Sequence, residues 1–394
     1  MKKVFKKRVK EKNPISIKIS KAVCFIIFSF YIFDFKKDYI NKEQKFMILK
    51  EGKKFIEQCL NFDKKNYTYK NDTKPDISVI IPVYNSQKTI YSSICSIQNQ
   101  NYTNFEIVLI DDFSTDNTSS VYFSLQEKDS RIIIIKNKKN MGSLYSRSIG
   151  VLFSQGMLIF PLDNDDLFFC KNILDYFKRI EEKYNFDIIG FRAFQIDNYN
   201  DGIEKIRDLY KYQYYPEKIT VYQPELSIWM ITVNGKYHPH DVTIWCKCIK
   251  SNIYKEATLK LGIKRYSNFV SWGEDAIANF AIFNLAKSFT FIHKYGIIHF
   301  HNKITASYSI SNDIKLFGEI FFVDIIYDFS LNSNAKNYAV MGIYHVKRMF
   351  KIKKYINGTN YNYIKSILNK FISNPNISKQ NKYKLKKNFK TFFT

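Results

Sequence analysis

"ISVIIPVYNSQKTIYSSICSIQNQNYTNFEIVLIDDFSTD" (residues 77–116) is the stretch that decides the fold of this chain. It contains two apolar runs rich in Ile and Val, 77–84 and 105–111, with a helix predicted between them at 87–99. Such runs, separated by a helix, are typical of parallel strands that are buried on both faces of a sheet. We therefore predict an α/β fold with a mostly parallel sheet flanked by helices. The pattern continues with strands predicted at 131–136 and 156–163 and helices at 116–128 and 142–155.

Polar residues follow the predicted strands at the point where each strand ends. Asn85 follows the first strand, Asp111 and Asp112 end the second, Asn140 comes after the third, and "LDNDD" (162–166) closes the fourth. Right-handed crossovers place the carboxyl ends of parallel strands along one edge of the sheet. Ligands of such sheets bind outside that edge. We therefore predict that these polar residues meet in one crevice.

The segment "FPLDNDDLFF" (160–169) carries Asp163, Asp165 and Asp166 within four positions, between apolar residues. Like charges this close raise one another's free energy unless a positive charge lies among them. Carboxylate oxygens suit Mg²⁺ or Mn²⁺, which in turn bind a substrate diphosphate. The alternative is a polar turn, because Asn and Asp are good turn residues.

The chain has 394 residues, 45% of them hydrophobic, and a net charge of +25. Its lysines are scattered, and the concentrated basic runs lie at the two ends, residues 1–10 and 379–390. No nucleic-acid-binding motif lies between them, so we predict no nucleic-acid partner and an attraction to phosphate-bearing ligands or an anionic membrane face. The six cysteines show neither a CxxC pair nor a zinc spacing, which argues against a disulfide framework.

The N-terminal segment leaves the relation to a membrane open. Residues 22–33 form an uncharged apolar run of 12 residues after a basic flank, shorter than the roughly 20 residues of a spanning helix. A short membrane anchor, an interfacial helix and a soluble packing helix all remain open, so the location is either membrane-associated (endomembrane in a eukaryote) or cytoplasmic. The predicted divisions are 1–35, a basic N-terminus with the candidate anchor; 36–74, a helical stem; 75–305, the main domain; and 306–394, a helical extension.

The second half of the main domain has a less regular pattern. Residues 195–240 are rich in Tyr and irregular, with helical character near 224–233. "SNIYKEATLKLG" (251–262) begins with residues that favour a helix start, and a helix is predicted at 272–287. Strands are predicted at 187–194, 241–249, 289–295 and 296–301, and a helical tail from about 312.

Four motifs together resemble the family-2 glycosyltransferases of the GT-A fold, over roughly residues 76–305. They are "SVIIPVYN" (78–85), "SIQNQNYTNFEIVLIDDFSTD" (96–116), "NMGSLYSRSIGVLFSQG" (140–156) and "LDNDD". The resemblance implies a GT-A domain, which is a Rossmann-like, mostly parallel sheet flanked by helices, here with a helical C-terminal extension. It also implies transfer of a sugar from a nucleotide-sugar donor.

The resemblance implies roles for the residues of these motifs. A base and ribose pocket is implied for Pro82, Tyr84 and Asn85, with Asp112 accepting a hydrogen bond from uracil or ribose. The family usually has Gly where Phe113 stands, and we expect Phe there only with a negative φ.

The remaining implied donor-side residues are Asn140 and Gly142, opening a helix toward the diphosphate; Arg147, reaching phosphates or base, with a surface ion pair as the alternative; Asp163, for metal and ribose; Asp165, the stronger metal ligand; and His301, completing the metal sphere. Asp166 is assigned to capping the next helix.

The segment "WGED" (272–275) matches a second motif of the family. Its acidic pair stands at the start of a helix, and the resemblance implies that Asp275 is the general base and that Glu274 binds or orients the acceptor. The alternative is that both carboxylates complement the helix dipole. His301 fits the family pattern better than His299, and the implied acceptor side includes His238, His240 and the Tyr-rich segment 195–240.

The sequence thus predicts an inverting, Mn²⁺- or Mg²⁺-dependent glycosyltransferase that moves a sugar from a UDP-sugar to a hydroxyl of a glycan, lipid or protein. An enzyme that uses a GDP-sugar or a polyprenyl phosphate is the closest alternative. A sugar-nucleotide or glycan-binding module of the same fold is the non-enzymatic alternative.

Overall fold

The computed structural model of this chain describes residues 74–199, 202–208, 218–222, 243–262, 273–302, 358–375 and 379–388, with a few residues between 318 and 328 and residue 390. The predicted anchor at 22–33 lies outside the described residues, as do the predicted stem up to residue 73 and the helical character predicted near 224–233. Within the described part of the chain, none of the helices combines the length and the apolar character needed to cross a bilayer.

The first half of the domain alternates strands and helices, as the sequence predicts. Each strand begins with Ile, Phe or Leu; three of the four are buried along their length and the edge strand only in part, while the helices bury apolar residues such as Ile94, Val121 and Val151. The elements are β1 (Ile77–Val83), α1 (Ile90–Gln98), β2 (Phe105–Asp111), α2 (Thr118–Gln126), β3 (Ile132–Lys136), α3 (Ser143–Phe153) and β4 (Leu158–Pro161).

These four strands form a parallel sheet in the order β3-β2-β1-β4. Val83 at the end of β1 pairs in register with Asp111 at the end of β2, and β1 also pairs with β4. β1 and β2 are buried along their whole length, which requires residues such as Ile and Val on both faces of the sheet. The predicted common edge at the carboxyl ends of the strands is confirmed.

Beyond β4 the sheet becomes mixed rather than mostly parallel. Its order continues as β9-β6-β10-β5 after β4, with β9 antiparallel to both of its neighbours and β10 parallel to β6. Antiparallel pairs need no crossover helix, so this half lacks the regular alternation seen before. Its elements are β5 (Leu167–Phe168), α4 (Ile173–Tyr184), β6 (Ile188–Tyr199), β7 (Gly202–Asp208), β8 (Lys218–Tyr222), β9 (Lys247–Lys250), α5 (Ser251–Leu261), α6 (Glu274–Leu285) and β10 (Ser288–Asn302).

Several elements in this half differ from the sequence prediction, and the segment predicted to be irregular from residue 195 contains the end of β6 together with β7 and β8. The two short strands predicted at 289–295 and 296–301 are one long strand, β10, whose register with β6 shifts on either side of Tyr295. A β-bulge bends a strand without ending it, which explains why the pattern suggests two strands. The strand predicted at 241–249 is confined to β9, and helix α4 is absent from the prediction. The C-terminal region contains α7 (Gly358–Ser373) and α8 (Lys379–Asn388).

Candidate active site

The candidate site lies at the carboxyl edge of β1, β2 and β4, where the chain leaves each strand. The Asp112 amide donates to the Val83 carbonyl (2.8 Å), and the Leu162 amide donates to the Ile80 carbonyl (3.0 Å). These bonds extend the strand pairing just beyond β2 and β4, so the segments that follow start from fixed positions. The edge therefore carries the residues that the sequence predicts there.

Asp112 is buried and holds the loop that leads into α3. Its Oδ1 accepts hydrogen bonds from the Asn137 side-chain amide (2.7 Å) and the Met141 backbone amide (2.8 Å), and its Oδ2 accepts from the Gly142 amide (2.7 Å). Gly142 caps α3 with φ +87°, a conformation that favours glycine. A hydrogen bond from uracil or ribose would therefore be accepted by the same Asp112 carboxylate oxygens that already bind the start of α3.

The loop after β1 is tied to the loop after β2. Asn85, with φ +48°, accepts a hydrogen bond from the Thr115 amide at 2.8 Å. The Pro82 carbonyl accepts a hydrogen bond from the Asn164 side chain (2.9 Å), which connects this loop to the "LDNDD" turn. The expectation that Phe113 keeps a negative φ is wrong, because its φ is +69°. Hydrogen bonds between the two loops, described below, override the residue's own backbone preference.

Arg147 is buried in α3 and joins the two acidic motifs. Its Nη1 donates to Asp275 Oδ1 at 3.0 Å and its Nη2 donates to Asp163 Oδ1 at 2.8 Å. Burial opposes the charged guanidinium, but Asp275 and Asp163 outweigh it and raise the pKa of Arg147. The alternative of an exposed surface ion pair is therefore wrong. The Arg147 side chain contacts two carboxylates, whereas the sequence analysis expects it to reach the phosphates or the base of the donor. Its Nε, also buried, has no hydrogen-bond partner among the described residues.

The acidic pair stands at the first turn of α6, as the sequence predicts. Gly273 caps this helix with φ +75°, which lets the chain turn sharply into it. The Ser143 hydroxyl donates to Glu274 Oε1 (3.0 Å), and the Ile244 amide donates to Asp275 Oδ2 (3.2 Å).

Burial governs the protonation of this pair. It raises the pKa of the Glu274 carboxyl to about 7, and the charge of Asp275 adds to the effect. Burial also raises the pKa of Asp275, although Arg147 opposes that shift. Two adjacent carboxyl groups of this kind lose their protons in two steps that belong to the pair. The site therefore holds a carboxyl group that changes charge near neutral pH.

The "LDNDD" segment forms a turn in which the Asp166 amide donates to the Asp163 carbonyl at 3.1 Å. Burial raises the pKa of Asp165 to about 8, and the neighbouring charges of Asp166 and Asp163 add to the shift. Burial and the two neighbouring aspartates thus disfavour the ionised form of Asp165 in spite of the nearby His299, and a bound cation would offset them. Among the described side chains, no three His, Cys, Asp or Glu residues form a ready-made metal cage.

Asp166 binds His299 of β10 instead of capping the next helix. His299 Nδ1 lies 3.0 Å from Asp166 Oδ1, and the Phe300 amide donates to the same oxygen (3.2 Å). Asn172 is the N-cap residue of α4, so the capping role assigned to Asp166 is wrong. Burial lowers the pKa of His299, but Asp166 overcomes this and raises it to about 9.

The Trp245 ring stacks on the His299 imidazole, with ring centroids 4.6 Å apart. The family resemblance favours His301 over His299 in this region. The backbone of His301 in β10 pairs with Asp197 of β6, but its side chain lies outside the described side chains, as do His238, His240 and Trp272. The described side chains bring His299 into the site, and the metal role implied for His301 stays a prediction.

Sequence reasoning missed the residues that hold the acidic side chains in place. Ser143, Ile244 and Trp245 touch the site through one hydroxyl, one backbone amide and one stacked ring. Ser143 follows the Asn-x-Gly motif directly, which places its hydroxyl in the first turn of α3 and is a signal that could have been used. No sequence signal identifies a backbone amide such as that of Ile244 as a contact of Asp275.

The comparisons with known proteins agree with this geometry. The profile "Glycosyl transferase family 2" matches residues 78–232. An uncharacterized glycosyltransferase of Methanocaldococcus jannaschii is 30% identical over 216 residues, which cover 50% of this chain and 74% of that protein. The UDP-Glc:α-D-GlcNAc-diphosphoundecaprenol β-1,3-glucosyltransferase WfaP of Escherichia coli is 41% identical over 90 residues, covering 23% of this chain and 35% of WfaP.

A solved structure shows the same fold. TarS 1–349 of S. aureus superposes with a TM-score of 0.52 at 16% identity, covering 75% of this chain and 80% of that chain, and it has also been solved with UDP and with UDP-GlcNAc. The parallel strands, the crevice at their carboxyl edge and the match to the M. jannaschii relative lead to one conclusion. The chain belongs to glycosyl transferase family 2.

Proposed function

We propose that this glycosyltransferase is an inverting enzyme that moves a sugar from a UDP-sugar to an acceptor hydroxyl. The observation that carries the proposal is the position of Arg147, whose single guanidinium binds Asp163 of the "LDNDD" turn and Asp275 of the acidic pair. The proposed donor-binding turn and the proposed general base thus both lie within hydrogen-bonding reach of one arginine side chain. The UDP and UDP-GlcNAc complexes of TarS support the choice of donor.

The donor side of the proposal uses the turn after β4 and the start of α3. Asp163 and Asp165 would hold Mn²⁺ or Mg²⁺, and the ion would neutralise the charge that develops on the leaving diphosphate. The amides at the start of α3 form the positive end of that helix, which suits an anionic group. His299 carries a positive charge at neutral pH because its pKa is about 9, so it is a further candidate for contact with the diphosphate. Pro82, Tyr84 and Asn85 are the proposed base and ribose contacts.

The acceptor side of the proposal uses Asp275 as the general base. Asp275 would take the proton of the acceptor hydroxyl while that oxygen attacks the anomeric carbon from the face opposite the diphosphate, and the configuration at that carbon inverts. Arg147 and the Ile244 amide fix the two oxygens of Asp275, which orients the carboxylate. Glu274 is held by Ser143 and would bind or orient the acceptor. Membership of a transferase family argues against the alternative of a non-enzymatic binding module.

A screen of sugar nucleotides tests the donor and the metal together. We expect the protein to release UDP from a UDP-sugar in the presence of Mn²⁺ and to release little or none without it. Asp165→Ala is expected to lose the Mn²⁺-dependent part of donor binding, measured by calorimetry, because it removes a charged oxygen ligand from the ion. Release of GDP from a GDP-sugar, with none from UDP-sugars, would contradict the UDP assignment. Donor binding by Asp165→Ala that still responds to Mn²⁺ would contradict the metal assignment.

A lipid-linked acceptor at a membrane surface is a second candidate, and one feature of α8 favours it. Residues 379–390 contain six lysines and no acidic residue. Lys379, Tyr383, Lys386 and Lys390 are exposed and recur at intervals of three or four residues, which places them on one face. An exposed aromatic among lysines is typical of helices that lie on anionic membranes. The name of WfaP, which gives a diphosphoundecaprenol acceptor, supports the same candidate.

Vesicle co-sedimentation tests this second candidate. We expect the protein to sediment with vesicles that contain 30% anionic lipid and to be released by 0.5 M salt, because screening weakens such attraction. Replacing Lys379, Lys386 and Lys390 with Gln is expected to lower the partition coefficient on the order of 100-fold, at about 1 kcal/mol per lysine. Gln at Lys128, Lys183 and Lys287, which are also exposed, is the matched control and should change little. Equal loss in both variants would contradict a specific role for α8.

A further inference from the structure

Phe113 combines two features that are each unfavourable for folding. Its side chain is 52% exposed, so it gains little from burial. Its φ of +69° lies in the left-handed region, which bulky residues rarely adopt. Strained residues that persist in a structure cluster at functional sites, so the position calls for a functional reason.

Hydrogen bonds on both sides of Phe113 impose this backbone conformation. The Ser114 backbone amide donates to Asp111 Oδ1 at 2.9 Å. The Ser114 hydroxyl oxygen accepts a hydrogen bond from the Asn85 backbone amide at 3.1 Å. The Thr115 amide donates to Asn85 Oδ1 at 2.8 Å. The loop after β2 is thus fastened to β2 itself and to the loop after β1. Phe113 is therefore held in a fixed, exposed position rather than left to move away.

A second exposed aromatic stands next to it at the same edge. Tyr84 directly follows β1 and is 46% exposed. Because Val83 pairs with Asp111 and adjacent strands are about 4.8 Å apart, Tyr84 and Phe113 leave neighbouring strand ends. An exposed aromatic residue therefore follows each of these two strands, and Asp112, the neighbour of Phe113, binds the Met141 and Gly142 amides at the start of α3, where the proposed diphosphate would lie.

We propose that Phe113 stacks on the nucleobase of the donor, next to the base pocket already assigned to Tyr84. The inference rests on the proposed use of a nucleotide donor and adds a binding residue that the resemblance does not supply, since the family usually has Gly at this position. A phenyl ring has no hydrogen-bonding group, so it adds affinity for a planar base without selecting among bases. The free energy gained on binding accounts for an aromatic residue kept exposed at a left-handed position.

Two substitutions separate the ring from the backbone. Phe113→Ala removes the ring and keeps a side chain at positive φ, whereas Phe113→Gly removes the ring and relieves the strain. We expect both variants to bind UDP about tenfold more weakly than wild type in the presence of Mn²⁺, as is usual for loss of a base-stacking ring. The Gly variant should melt about 2 °C above the Ala variant. Phe113→Trp should retain UDP affinity.

Inorganic pyrophosphate with Mn²⁺ is the base-free probe, and the variants should bind it within about twofold of wild type. Phe123→Ala, which removes an aromatic that is 42% exposed on α2, is the matched control and should bind both probes as wild type does. UDP affinity unchanged in both Phe113 variants, or an equal loss for UDP and pyrophosphate, would overturn the inference and leave the donor proposal standing. Binding of GDP in place of UDP, with the same tenfold loss, would support the stacking role and contradict only the choice of donor. A wild-type protein that binds neither nucleotide would overturn both.

Discussion

Asp275→Asn is expected to lower kcat for sugar transfer about 10³-fold while leaving the Kd for the donor within about threefold of wild type. Asparagine has nearly the same shape and can still accept a hydrogen bond from the Ile244 amide, but it cannot take a proton from the acceptor hydroxyl. Loss of a general base costs about two to four orders of magnitude. Transfer is measured by product formation with a saturating acceptor, and donor binding by calorimetry in the presence of Mn²⁺. Transfer by Asp275→Asn at the wild-type rate would exclude Asp275 as the base.

The pH dependence of transfer is a second measurement on the same pair. A base must be deprotonated before it acts, and the pKa of Glu274 is raised to about 7 by burial and by Asp275. We therefore expect kcat/KM to rise with pH up to about 7 and then to level off. Glu274→Gln leaves a single titrating carboxyl group, so the rise should move to lower pH while transfer is kept in part. A rise that stays in place in this variant would contradict the shared titration of the pair.

Arg147→Met is expected to lower kcat/KM about 10³-fold and to lower the free energy of unfolding by about 3 kcal/mol, the usual cost of removing one partner from a buried ion pair. Asp163 and Asp275 would be left facing each other without the guanidinium that now binds both. The side chains of both aspartates are partly exposed, so the lower end of the usual range applies. Chemical denaturation gives the change in stability, and steady-state kinetics gives the loss of transfer.

The effect of Arg147→Met on stability should depend on pH in a defined direction. Arg147 opposes the burial that raises the pKa of Asp275, so its loss raises that pKa further above the value in the unfolded chain. A carboxyl group with a raised pKa contributes stability below its unfolded pKa and loses it as pH rises through the folded pKa. The destabilisation relative to wild type should therefore be constant at low pH and grow as pH rises through the folded pKa of Asp275 in the wild-type protein.

Arg131→Met is the matched control for Arg147→Met. Arg131 is equally buried and binds Asp129 through two bonds of 2.9 Å, but it lies outside the candidate site. This variant should lose a similar amount of stability and keep the kcat/KM of the folded fraction. A loss of transfer in Arg131→Met as large as in Arg147→Met would show that the kinetic effect comes from destabilisation alone.

The parallel half of the fold was predictable because its signals are local. Continuous Ile, Val and Leu runs gave the strands within about two residues, and the polar residues after each strand gave the edge on which they meet. The acidic pair was likewise placed at a helix start from its neighbours in sequence. Helix α4 is absent from the prediction although its apolar and charged residues recur with a helical period.

The partners of the site residues were not predictable from local signals. Arg147 and Asp275 are 128 residues apart, and only the packing of α3 against α6 brings them together. The backbone of Phe113 shows the same limit, because hydrogen bonds from another loop overrule the preference of the residue itself. Asp166 and His299 are joined across the sheet in a similar way, which a capping pattern in the sequence could not reveal.

The place of β9 in the sheet has a consequence for biosynthesis. This strand lies between β4 and β6, although it is encoded some 50 residues after β6 ends. Until Lys250 has left the ribosome, the nascent chain presents β4 with an unpaired edge, and open strand edges invite pairing with other chains. Slow translation across residues 200–250, or premature termination within them, should therefore favour aggregation of the half-made domain.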